Sequence, residues 1–274
     1  MENKSELVSS FKNPDTHYYP NLMWFWNDKI TKDEIEFQIK EFKKSNIYEF
    51  FIHPLWGIEL TYLTEEFFDL IKYAVKIAKE NGMKFWIYDE YNWPSGTAGG
   101  FLLKEKPETN GKILLSKKIT LFAAQQLDFT FEGDFVGATV VYNNKTDRLE
   151  DITNKVKVTK NGETTKVYYE INSCSTTVVW LSYAAKNVGI CASAYWASFS
   201  DFQGGWLDSN NKDAVRAYID STHEKYKEAI GEEFGKTVVG VFNDEANNMS
   251  FFDEDYYSSP SGKFPTKNFP WSLK

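Results

Sequence analysis

At 274 residues, with 42% hydrophobic and 26% charged side chains, the chain has an ordinary globular composition and is long enough to bury a sizeable core. A formal net charge of −8 argues against nucleic acid as a partner, since a phosphate backbone requires a basic surface. The only arginines, Arg148 and Arg216, are too few for bidentate clamping of phosphates or carboxylates, which leaves neutral substrates such as sugars open.

The opening "MENKSELVSSFKNP" is polar and lacks the apolar centre of a secretory leader, and no stretch approaches the roughly 18 apolar residues of a membrane span. A soluble, cytoplasmic protein is therefore expected, with Cys174 and Cys191 as reduced structural thiols rather than a disulfide. "NLMWFWN" (Asn21 to Asn27) reads as a short strand. Thr31 and Glu34 follow at the spacing of a capping box, and Ile35, Ile39 and Phe42 share one helical face. "IYEFFIHP" (Ile47 to Pro54) is a second strand. Thr64 then caps a helix whose apolar face is Phe67, Leu70, Ile71, Ala74 and Ala78, and Gly82 stops it. "KFWIYDEYNWPSGTAGG" (Lys84 to Gly100) is a third strand running into two acids, a cluster of aromatics and a glycine-rich tail. Strands alternating with amphipathic helices mean parallel strands with helical crossovers.

From about Lys104 the pattern changes to period-two alternation, with Asn161-Gly162 as a hairpin signal. This antiparallel segment is expected to end near Val188 to Phe199. Helical periodicity returns after Ser209 or Asn211, with Val215, Tyr218, Ile219, Thr222 and Tyr226 on one face and a stop at Gly231. "TVVGVFNDE" is a fourth parallel strand, followed by an aromatic and acidic stretch. The expected division is residues 1–104, an inserted β-rich domain at 105–200, and a continuation of the first part at 201–274.

Strands two, three and four end in "FIHP", "YDEY" and "FNDE". Ligands of parallel α/β folds bind at the carboxyl ends of strands, so these polar groups are expected to share one mouth. Carboxylates without a nucleophilic Ser or Cys, or a phosphate loop, suit acid/base chemistry on an uncharged bond. Trp26, Trp56, Tyr91 and Trp93 supply flat faces on which a sugar ring stacks, and Asn27 joins them as a sugar contact. Such equipment fits glycoside hydrolysis. Asp89 and Asp244 are candidate sugar-binding acids, although strand alternation lets only one member of each acid pair point inward. His53 either faces the ligand or caps its strand, and His223 is read as a packing or hydrogen-bonding residue.

"MWFWNDKITKDEI", "FFIHPLWG", "FWIYDEYNWPSGTAGG" and the stretch from Leu207 through "VFNDE" together resemble the catalytic barrel of bacterial glycoside hydrolases such as the family 106 α-L-rhamnosidases. The resemblance implies an α/β fold: a partial TIM-type (β/α) barrel of about four βα units with an inserted antiparallel β domain. It implies hydrolysis of a terminal deoxysugar such as α-L-rhamnose with inversion, and places the general acid at Glu245. Relatives often carry Asp-Glu-Pro there, whereas Ala246 follows here. The family's base would come from a later strand, so Glu90 is the in-chain candidate for the second carboxylate, at the inverting separation of roughly 6.5–9.5 Å. No cofactor is expected, apart from a calcium ion that the resemblance raises, with Asp89, Glu90 and Asp244 as oxygen ligands. Four parallel strands leave two open edges, so self-association is expected, and a truncated, catalytically silent sugar-binding remnant is the alternative reading.

Overall fold

The computed structural model describes residues 4–123, 125–142, 149–171, 176–186, 205–246 and 269–271. Cys174, Cys191, Arg148, the expected end of the β segment at Val188 to Phe199, and the aromatic stretch after Ala246 (269–271 apart) lie outside them. The chain divides into two compact units, Met1–Thr109 with Cys191–Asn247, and Asn110–Ile190 with Asn248–Lys274.

The first unit begins with helix α1 (Lys4–Lys12), which sequence periodicity did not reveal. Strand β1 (Asn21–Trp26) leads to α2 (Lys32–Lys44), where the Thr31 hydroxyl accepts from the Glu34 amide at 3.3 Å and Ile35 and Ile39 are buried. Strand β2 (Glu49–Pro54) is buried throughout. Helix α3 (Glu65–Glu80) is capped by Thr64, whose hydroxyl accepts from the Phe67 amide at 3.4 Å, and its Phe67, Ile71, Ala74 and Ala78 are buried. Strand β3 (Lys84–Tyr88) comes next, then a loop with a cis Trp93–Pro94 bond, and a short helix α4 (Phe101–Glu105) that buries Leu102 and Leu103.

The second unit contains strands β4 (Lys112–Leu121), β5 (Leu127–Glu132), β6 (Asp134–Tyr142), β7 (Leu149–Asp151), β8 (Lys157–Asn161), β9 (Thr164–Tyr169) and β10 (Thr177–Lys186). β10 lies antiparallel between β4 and β6, and β5, β9 and β8 form a separate antiparallel sheet. Leu127, Val140, Val167, Val179 and Leu181 are among its fully buried core residues. The expected hairpin is present between β8 and β9. Because Asn161 pairs with Thr164, the turn residues are Gly162 and Glu163, one position later than the Asn-Gly signal placed them.

Returning to the first unit, helix α5 (Lys212–Tyr218) passes through a π-helical turn (Ile219–His223) into helix α6 (Glu224–Ile230), which leads to strand β11 (Val238–Phe242). A short strand β12 (Phe269–Trp271) pairs with β4 in the second unit. The first unit's sheet is wholly parallel in the order β1-β2-β3-β11. It is an open sheet, and no closed barrel is present among the described residues.

Alternation sorts each strand's side chains by face. Trp24, Trp26, Phe50, Ile52, Phe85, Ile87 and Val238 share one core with α2, α3, α5 and α6. Each large apolar side chain fully buried there stabilises the fold by about 1.5–3 kcal/mol. The opposite face carries Met23, Phe25, Phe51, His53, Trp86, Tyr88 and Phe242. Phe51 stacks on Phe242 at a centroid distance of 4.7 Å, and His53 on Tyr88 at 3.9 Å. Gly240 is required by close approach, since a Cβ there would lie 2.3 Å from the Trp86 ring. Ile52 and Ile87 alternate with these residues and pack under the helices.

Candidate functional site

The acids after β3 are buried. Glu90 is completely covered, and five backbone amides of its own loop donate to its carboxylate. Tyr91 (2.9 Å) and Gly99 (2.5 Å) donate to Oε1, and Gly96 (3.0 Å), Thr97 (2.7 Å) and Ala98 (2.9 Å) to Oε2. The Thr97 hydroxyl adds a bond at 3.2 Å. Gly99 reaches this position at φ 67°, in the left-handed region open to glycine, which explains the glycine-rich tail. Burial pushes the Glu90 carboxyl up to about 7, against the opposing pull of the amides. Asp89, at 1% exposure, accepts from the Ser95 hydroxyl at 2.5 Å, from Asn243 at 2.9 Å, and lies 3.1 Å from His223 Nε2.

The π turn explains how one helical segment reaches Asp89 twice. Tyr218 and His223 are five residues apart, the spacing a π turn brings onto one side. The Tyr218 hydroxyl donates to the Asp89 carbonyl at 2.6 Å while His223 meets the Asp89 carboxylate. The expected hydrogen-bonding place for His223 therefore matches its geometry.

At the end of β11 the environment is open. A cleft of about 460 Å³ is lined by Met23, Phe25, His53, Leu55, Trp56, Trp93, Asp244 and Glu245. Trp56 and Trp93 lie 5.6 Å apart, and Trp56 is 45% exposed. Asp244 Oδ2 accepts from the Tyr88 hydroxyl at 2.6 Å, and its amide donates to Ser95 Oγ at 2.9 Å. Glu245 is exposed and holds φ at 47°, unusual for a residue with a side chain. His53 is buried and lies 3.0 Å from the Asn92 carbonyl through Nε2, which fixes that nitrogen as the protonated one. Burial lowers its pKa to about 4, so the ring is neutral near pH 7.

Of the residues expected at the mouth, His53, Trp56, Trp93, Asp244 and Glu245 line one cleft. The others are placed elsewhere. Trp26 is fully buried among Trp24 and Phe67, because its position in β1 points under the helices. Tyr91 is fully buried near Tyr62. Asn27 is exposed, with its carbonyl close to Gly57. Asp89 and Glu90 do not line the cleft, and the expectation of Glu90 as catalytic partner of Glu245 is corrected: its lone pairs are occupied by its loop.

The calcium expectation meets the same obstacle. Asp89 and Glu90 already accept from several donors of the first unit, and Asp244 Oδ2 accepts from the Tyr88 hydroxyl. Among the described residues no group of three His, Cys, Asp or Glu side chains is placed to hold a metal ion. Sequence reasoning missed Met23, Phe25 and Leu55 in the cleft, and Asn92 beneath it. Strict alternation along "NLMWFWN" carried the signal for the first two, since Met23 and Phe25 must oppose Trp24 and Trp26. Asn92 had no such signal. It takes φ 53°, its side chain accepts from the Trp56 amide at 2.9 Å, and its carbonyl accepts from Tyr88 at 2.7 Å.

No family model and no curated protein matches this chain. Among solved structures it is similar in fold to the rhamnosidase from Novosphingobium sp. PP1Y, with a TM-score of 0.51 and 13% sequence identity over 89% of this chain. The chain spans 40% of that protein's length. At this identity the likeness concerns the fold, a mixed α/β architecture shared with a glycoside hydrolase. No helix among the described residues is long and apolar enough to cross a membrane.

Proposed function

We propose that this chain carries the acid-bearing side of a glycoside hydrolase site for a terminal deoxysugar such as α-L-rhamnose, with Glu245 as the general acid. The observation that supports this reading is the cleft at the carboxyl ends of a parallel sheet, lined by Glu245 and Asp244 together with Trp56 and Trp93. The tryptophan faces stack on the sugar ring, His53 stays neutral beside it, and Glu245 protonates the leaving oxygen. The left-handed backbone at Glu245 is the kind of strain found where position matters more than stability.

One observation favours a second reading, a catalytically silent sugar-binding protein. Among the described residues the acids lining the cleft are Asp244 and Glu245, neighbours on one strand end, while Glu90 is buried in its own loop. Two measurements on the purified chain decide between the readings: calorimetric titration with L-rhamnose, and chromophore release from an aryl α-L-rhamnoside. Binding with turnover, reduced about 10²–10⁴-fold by Glu245→Gln on substrates with a poor leaving group, supports the hydrolase. Binding that weakens in Trp93→Ala, without turnover, supports the silent reading. Failure of both assays overturns the proposed site.

A further inference from the structure

Three side chains of the cleft offer it hydrogen-bond acceptors. Asp244 and Glu245 bring carboxylates, and the bond from the Tyr88 hydroxyl at 2.6 Å takes one of the roughly four acceptor positions of Asp244. His53 lines the same cleft at 3% exposure. Its Nε2 donates to the Asn92 carbonyl at 3.0 Å, so Nδ1 carries a lone pair, and that atom is buried without a hydrogen-bond partner among the described residues. A buried acceptor left without a donor is costly, and on a ring that lines a cleft it points to a ligand that donates. Beside these acceptors stand two tryptophans. The Trp56 and Trp93 rings lie 5.6 Å apart with their planes inclined at 50°, two faces set at an angle rather than one flat platform. The face of an indole is negative and attracts a cation.

A neutral sugar and an amine-bearing sugar make different demands on such a site. Each hydroxyl donates once and calls for donors in return. A protonated amine donates three times, accepts nothing, and carries the charge that carboxylates and indole faces attract. We infer that the ligand of this cleft is an aminodeoxysugar, its ammonium group held by Asp244 and Glu245 against the faces of Trp56 and Trp93. The inference rests on the reading of the cleft as a sugar site, and it narrows the deoxysugar to one in which an amine replaces a hydroxyl. His53 completes the set as an acceptor for a further donor of the ligand. Being neutral near pH 7, it brings no competing positive charge to the ammonium.

The test is calorimetric titration of the 274-residue chain with L-rhamnose, its 3-amino-3-deoxy and 4-amino-4-deoxy derivatives, and the N-acetylated forms of both amines. One amine is expected to bind about tenfold or more tightly than L-rhamnose at low salt. That advantage should shrink when the ionic strength is raised to about 0.5 M, and nearly vanish on N-acetylation, which removes the charge. Glu245→Gln and Asp244→Asn should each lower the ratio of amine to neutral affinity by about threefold or more. The ratio is the readout because either residue also touches a neutral sugar, and the salt and N-acetyl comparisons need only the parent chain. If L-rhamnose binds as tightly as both amines, the inference is overturned while the proposed sugar site stands. A preference for the amine that survives both salt and N-acetylation also overturns it, since the contact would then read shape and not charge. Absence of binding by every sugar overturns the sugar site and the inference together.

Discussion

Two strands of one sheet end in adjacent acids, and the structure treats them in opposite ways. After β3, Asp89 and Glu90 are 1% and 0% exposed and saturated with donors. After β11, Asp244 and Glu245 border an open cleft. The pairs look alike in sequence, "YDEY" against "FNDE", so the difference lies in the loop that each pair opens. The loop after Glu90 returns five amides to the carboxylate, aided by glycine at position 99. The acids of β3 build the floor on which those of β11 stand: Ser95, fixed by Asp89, accepts from the Asp244 amide, and Asn243 donates to Asp89.

The largest effect expected from this contrast is on stability. Glu90→Ala strips the partner from five buried amides and should destabilise the fold by about 3–5 kcal/mol, the scale seen when one side of a buried charged network is removed. Urea denaturation measures it. A loss below about 1 kcal/mol would mean that the loop closes without its carboxylate, and the contrast would fail.

Next comes pH. With the Glu90 carboxyl raised from 4.5 to about 7, the folded state binds more protons than the unfolded state between those values. Stability should then fall as pH rises through that window, by on the order of 3 kcal/mol in all, and level off above it. His53 acts in the opposite sense. Its pKa is lowered from 6.5 to about 4, so stability should fall as pH drops through that range. The two windows overlap with opposite slopes, so in the parent they largely cancel between about 4.5 and 6.5. Denaturation midpoints of Glu90→Gln against pH separate them: the variant should lose stability as pH falls through the His53 window far more steeply than the parent, and a profile identical to the parent's would remove Glu90 as the opposing group.

Asp89→Asn should cost about 1.5–3 kcal/mol, the range for hydrogen bonds to a charged group. The amide sets a donor against a side of Asp89 that already faces His223 and Asn243. The signature beyond stability is the His223 ring, whose NMR resonances at fixed pH should move when the carboxylate 3.1 Å away is replaced. If they do not move, the Asp89–His223 contact is not made in solution.

Much of the first unit was legible in the sequence, because its signals are local. Thr31 and Thr64 cap helices, Gly82 ends one, and the period of Ile35 and Ile39 or of Phe67, Ile71 and Ala74 marks the buried face. What the sequence hid depends on the chain folding back on itself. Nothing local in "YDEYNWPSGTAGG" says that Glu90 binds amides up to nine residues later, and acids beside aromatics read equally well as a mouth. The π turn was hidden for a related reason. Tyr218, Thr222 and Tyr226 satisfy an α-helical stripe, and only the place of Asp89 in space shows why an extra residue is accommodated before His223. Trp26 could have been assigned correctly by applying alternation to β1, where Trp24 and Trp26 must share a face.

The smallest expected effect sharpens the comparison most. Glu245→Gln preserves size and shape at an exposed position, and substitutions of that kind fall within about 0.5 kcal/mol of the parent. Urea denaturation should therefore barely register it, in contrast to Glu90→Ala on the same sheet. The two variants together ask whether each acid pair has one role or two. If Glu245→Gln loses more than about 1 kcal/mol, its carboxylate holds the strand end together as Glu90 holds the β3 loop, and the cleft loses its candidate acid on structural grounds alone. If stability is unchanged while L-rhamnose binding or turnover falls, the left-handed backbone at Glu245 is retained for what the side chain does in the cleft rather than for what it contributes to the fold.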